Sequence, residues 1–101
     1  MNVATIKKNF GELGGEMKVF FLFVLCADKN GAVSLEKEKI VKRLGISRQT
    51  VGKYINGFVT CGMMKYKYSG KAMFNPDFMY VGPEEERARV KEKYAEFKSD
   101  V

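Results

Sequence analysis

The chain has 101 residues, 46% of them hydrophobic and 30% charged, with a net charge of +6 and no histidine. That length suits one domain with its own core, and that balance excludes a disordered chain. The absence of histidine leaves a metal site only two cysteines and scattered carboxylates, so neither a metal nor a cofactor is expected.

Val3, Ile6 and Phe10 recur at spacings of three and four, which fits a short amphipathic helix before Gly11, Gly14 and Gly15. Glu16 to Ala27 is strongly apolar and reads as a buried helix. Its apolar run VFFLFVLCA is nine residues, well under the roughly 20 that a bilayer requires. Lys7 and Lys8 are followed by Gly11, Glu12 and Gly14 instead of an apolar stretch, so no secretory signal is read and the cytoplasm is the expected location. Cys26 and Cys61, far apart and without a CxxC, are expected as buried, reduced thiols.

Asp28-Lys29-Asn30-Gly31 marks a turn, and Ala32-Val33-Ser34 an edge strand that pairs with a later hairpin. Ser34 is placed to cap a helix over SLEKEKIVKRLG, whose buried face is Leu35, Ile40, Val41 and Leu44. Lys37 stands where a capping box would have glutamate. Gly45 can end this helix in a left-handed conformation, and Ser47 can cap the next.

The next helix, Ser47 to about Thr60, buries Val51, Ile55, Phe58 and Val59 and leaves Arg48, Gln49, Thr50, Lys53 and Tyr54 facing out. Arg and Gln carry the paired donors and acceptors that suit guanine and adenine edges, and a recognition helix presents such residues at its N-terminal end. Inside it, Gly52 has two equal explanations, close packing or close approach to a DNA backbone, and Gly57 is assigned to packing. MMKYKY then alternates, with Met64, Tyr66 and Tyr68 on the core face. A two-residue turn, Ser69-Gly70, returns the chain along Lys71 to Asn75, giving a wing with basic residues Lys65, Lys67 and Lys71.

Pro83 and three glutamates open a last helix whose stripe of Val90, Tyr94, Phe97 and Val101 either seals onto its own domain or pairs with a second subunit. The fold class is therefore mainly α with a small β-hairpin wing (α+β), a winged helix-turn-helix over residues 1–82 with a C-terminal helix over 83–101. The charge supports a polyanion partner: residues 34–76 carry nine Lys/Arg against two Glu, a net +7, whereas residues 77–101 carry a net −2.

The segment GISRQTVGKYINGFVTCGMMKYKYSGKAMFNPDFMYVG resembles the winged-helix replication proteins of Gram-positive plasmids, the RepL type. The resemblance covers about Glu16 to Arg89, and its most specific part is Phe74-Asn75-Pro76. It implies a plasmid or phage replication protein that acts by binding DNA.

The residues point to a sequence-specific double-stranded DNA binder, working as a homodimer. Ser47, Arg48, Gln49, Thr50, Lys53, Tyr54, Lys65, Lys67 and Lys71 are the candidate DNA-binding residues, and Val90, Tyr94 and Phe97 the candidate dimerisation residues. Neutralising roughly four phosphates would give a salt slope of about −3.6. Two alternatives stand beside replication: a transcriptional repressor, and a protein-interaction module built on Met63, Met64, Met73, Phe74, Phe78, Met79 and Tyr80. No nucleophile with its base is present, so no enzyme and no small-molecule substrate are expected.

Overall fold

The first apolar run has no polar face to leave in water, and it folds as the buried helix α1, Gly15–Cys26, in the computed structural model, which describes residues 14–101. Val19, Phe21, Leu22 and Phe23 of α1 are buried. The short helix expected around Val3, Ile6 and Phe10 lies outside the described residues. The turn that follows is held by the Asp28 carboxylate, which accepts from the amides of Asn30 and Ala32 at 2.8 and 3.0 Å.

Three short strands make one antiparallel sheet in the order β1-β3-β2: β1 is Ala32–Ser34, β2 Met64–Tyr66 and β3 Lys71–Phe74. The edge strand thus pairs with the hairpin as its sequence suggests. Ser34, however, does not cap a helix. It sits opposite Lys71 in the sheet, and the next amide, Leu35, donates to the Gly70 carbonyl at 2.8 Å, so the chain stays extended. Helix α2, Lys37–Leu44, starts later, with Glu36 as a cap that makes no side-chain bond.

The α2–α3 turn is built as read. Gly45 adopts a φ of 66° and its amide donates to the Val41 carbonyl at 2.9 Å, and the Ser47 hydroxyl accepts from the Thr50 amide at 3.2 Å. Helix α3, Arg48–Thr60, buries Val51, Ile55 and Phe58, with Val59 half-buried. Its end is a paired closure: Met63 donates to Phe58 and Gly62 to Val59, both at 3.0 Å, with Gly62 at a φ of 79°.

The hairpin differs from its expected register at the tip. Lys67 pairs with Lys71 through a 2.8 Å backbone bond, so the connection is three residues, Tyr68-Ser69-Gly70, closed by Gly70 at a φ of 98°. Tyr68 therefore leaves the alternating pattern and is 68% exposed, whereas Tyr66 is fully buried, as expected. Two other burial expectations are corrected. Cys26 and Cys61 are exposed, because each stands at a helix end beyond the covered stripe. Gly57 meets nothing within 4 Å of where a Cβ would stand, so packing does not explain it.

The core joins the first three helices and the three strands: Leu22 and Phe23 from α1, Val33 from β1, Ile40 from α2, Ile55 and Phe58 from α3, and Tyr66 and Phe74 from the hairpin. The order α1-β1-α2-α3-β2-β3 around one core is a winged-helix-like α+β fold. None of the helices among the described residues is long and apolar enough to cross a membrane.

A single-turn 3₁₀ segment, Glu84–Glu86, leads into helix α4, Arg87–Glu96. Its stripe is used within the chain: Val90 is fully buried and Tyr94 and Phe97 are half-buried. Val90 thus packs within its own chain, whereas Tyr94 and Phe97 keep part of their surface open and Val101 is exposed. Asp77 anchors the helix, 2.9 Å from the Lys91 ammonium and 3.9 Å from Arg87. The Lys91 hydrogen bond and charge, with Arg87 behind them, hold the Asp77 carboxyl below its ordinary range. That contribution is present above the ordinary aspartate range and is lost as pH falls through it. Asp77→Asn should speed amide hydrogen exchange across Val90–Tyr94 while leaving α1 to α3 unchanged, and Asp77→Asn should flatten the acid side of that exchange profile.

Candidate nucleic-acid interface

The capping of α3 by Ser47 sets which side chains leave its first turn. Ser47 and Thr50 are tied to each other, Oγ to Oγ1 at 2.8 Å, so both serve the helix start. Arg48 and Gln49 are exposed beside them, and Lys53 is exposed one turn on. Tyr54 departs from the outward row. It is half-buried against the core, and its hydroxyl lies 3.3 Å from where a Gly15 Cβ would stand.

Arg48 makes an ion pair with Glu38 of α2, both side chains more than half exposed. Such a pair contributes little to stability, so the guanidinium can exchange Glu38 for a base edge at small cost. Lys37, Lys39, Lys42, Arg43 and Lys53 pair with no carboxylate among the described residues. The carboxylates Asp77, Glu84 and Glu86 are instead matched by Arg87, Arg89 and Lys91 of the same C-terminal part, so they take no cation from the helix-turn-helix, which stays positive.

Sequence reasoning missed Lys37. Its ammonium lies 3.6 Å from where a Gly52 Cβ would stand and 5.3 Å from the centre of the Tyr68 ring. It thus spans from α3 to the wing tip. The signal was present in Gly52, because a glycine inside a helix leaves room beside the backbone, and here a cation from α2 takes up that room.

The three wing lysines do not converge on this face. Lys65 donates to the Tyr94 carbonyl at 2.7 Å and lies 4.5 Å above the Tyr94 ring. Lys67 lies 4.9 Å from the centre of the Phe97 ring. Lys71 is exposed and lines a cavity with Cys26, Ser34 and Phe97. Met64, Met73 and Phe74, considered for a protein-binding surface, are core residues, and Phe78 is 45% exposed.

The family model of the Firmicute plasmid replication protein (RepL) matches residues 11–101. The chain belongs to this family. No curated protein and no solved structure gives a significant match. The RepL match makes this a plasmid replication-associated protein, and it takes in α3, the wing and α4 alike. Within this RepL chain the Asn75-Pro76-Asp77 segment has a clear mechanical task. The Asn75 side chain donates to the Gly62 carbonyl at 3.0 Å and accepts from the Asp77 amide at 2.9 Å, joining the end of α3 to the residue that anchors α4. Sequence spacing could not expose that link, because the partners are 13 residues apart across the hairpin.

Proposed function

We propose that this RepL-family chain serves plasmid replication by binding double-stranded DNA, with the N-terminal end of α3 in the major groove. The observation that carries this reading is the exposed end of α3. Arg48 and Gln49 stand there exposed, with Lys53 one turn on and Lys37 beside Gly52, in the part of the chain that holds a net +7. Arg48 and Gln49 read base edges, and Lys37 and Lys53 neutralise phosphates. The role is binding without bond chemistry. Replication is favoured over repression by the family to which the chain belongs.

With Lys65 and Lys67 engaged elsewhere, two phosphate contacts give a salt slope of about −1.8. Copies of the protein that pair on DNA do so at a two-fold repeat with half-sites one helical turn apart. The reading is tested by selecting duplexes from a random pool and titrating the selected duplex and an unrelated one with two variants. Arg48→Ala should cost about 1–3 kcal/mol on the selected duplex and less on the unrelated one. Lys53→Ala should weaken both alike and lower the slope by about 0.9. Retention indifferent to both substitutions and to salt would sink the DNA reading and leave the protein-interaction module in its place.

A further inference from the structure

β2 is, with β1, one of the two edge strands of the sheet, and its outward backbone groups would be unpaired if nothing lay beside it. Residues 99 and 100 lie there. The Asp100 amide and the Ser99 hydroxyl both donate to the Tyr66 carbonyl, at 2.8 and 2.9 Å, and the Tyr66 amide donates to the Ser99 hydroxyl oxygen at 3.0 Å. At the wing tip the Tyr68 amide donates to the Asp100 carboxylate at 2.9 Å. The same stretch holds the wing lysines, through the Tyr94 carbonyl and ring on Lys65 and the Phe97 ring on Lys67.

We propose that residues 94–101 are a cover bound in cis along the outer edge of β2, which competes with DNA phosphates for Lys65 and Lys67. This rests on the DNA reading above. The covered form leaves Lys37 and Lys53 as the phosphate-binding cations beside the end of α3, and it also sets the Asp100 carboxylate on the tip, where it repels a phosphate. The uncovered form adds two cations and removes that repulsion. None of residues 94–101 is buried, and a segment so placed can open locally while the core stays folded.

Ser99→Ala combined with Asp100→Ala removes the side-chain half of the edge pairing, and Phe97→Ala removes the ring over Lys67 by a separate route. Hydrogen exchange at the Tyr66 and Tyr68 amides reports the opening, with the α1 and α3 amides as the check that the fold persists. On a random-sequence duplex the uncovered variants should bind about tenfold more tightly near 0.1 M salt, and their slope should steepen from about −1.8 toward about −3.6. Adding Lys65→Ala and Lys67→Ala should return the slope to the covered value.

The cover is overturned by faster Tyr66 and Tyr68 exchange with unchanged or weaker DNA binding, and equally by exchange that the substitutions leave unchanged. A failure of the DNA reading looks different. Neither the covered nor the uncovered protein would then respond to Arg48→Ala or to salt, whatever the exchange shows.

Discussion

Tyr66→Ala should lower the folding free energy by about 4 kcal/mol, read from the urea midpoint at an unchanged slope. Tyr66 is the largest fully buried side chain, standing edge-on to Phe23 at 6.0 Å between ring centres. Its hydroxyl donates to the Leu35 carbonyl at 3.2 Å, which ties the wing to the chain entering α2. Alanine would leave a cavity where the sheet, α1 and that entry meet. Tyr66→Phe keeps the ring and loses only the hydrogen bond, so it should cost about 1 kcal/mol.

The same hydroxyl makes the fold sensitive to alkali. Burial first, then the nearby charges of Glu38 and Glu36, push the Tyr66 phenol up to about 12. The unfolded chain releases that proton near pH 10, so above this point it binds fewer protons than the folded chain, and stability falls as pH rises. The loss begins near pH 10, is complete near 12, and amounts to about 3 kcal/mol at 1.36 kcal/mol per unit. Below pH 10 the contribution is constant. Tyr66→Phe should remove most of this alkaline slope and leave the smaller one from Tyr94, whose phenol is also raised by burial. A wild-type stability flat from pH 9 to 12 would show that the Tyr66 hydroxyl is not held as described.

What was legible in the sequence was whatever depends on near neighbours. The Gly45 and Ser47 turn, the buried face of α3 and the alternation that buries Met64 and Tyr66 each follow from residues within a few positions of one another. The misreadings came from contacts that cross the chain. Ser34 looks like a cap until the Leu35 amide meets Gly70, and Tyr68 looks like core until the hairpin closes with three residues instead of two. The wing lysines show the same effect at the candidate site. Their type and spacing suggest a phosphate-binding face, yet Lys65 and Lys67 find the Tyr94 and Phe97 rings, about 30 positions further along the chain. Lys37 was hidden in reverse, as a poor capping residue whose task lies beside Gly52 on another helix.

Gly70→Ala should destabilise the fold by about 3 kcal/mol, the sum of left-handed backbone strain and a collision with the start of α2. At a φ of 98° an added Cβ would lie 2.7 Å from the Glu36 Cγ and 3.0 Å from both the Glu36 Cα and its amide nitrogen. The Cγ can move, but the backbone atoms cannot move without pulling Leu35 off the Gly70 carbonyl, which its amide meets at 2.8 Å. The wing tip must therefore back away from α2. That would carry Tyr68 off the Lys37 ammonium and open the strip that runs from α3 to the wing, so DNA affinity should fall along with stability. Gly57→Ala is the internal contrast. Gly57 lies inside α3 with nothing near its Cβ position, so alanine there should stabilise by about 0.5–1 kcal/mol through helix propensity alone. Paired denaturation curves decide the matter. Strain at Gly70 alone would already give the two substitutions opposite signs, so the contact is read from the size of the loss: a Gly70→Ala cost of only about 1–2 kcal/mol, the share of left-handed strain, would mean that the tip does not rest on α2.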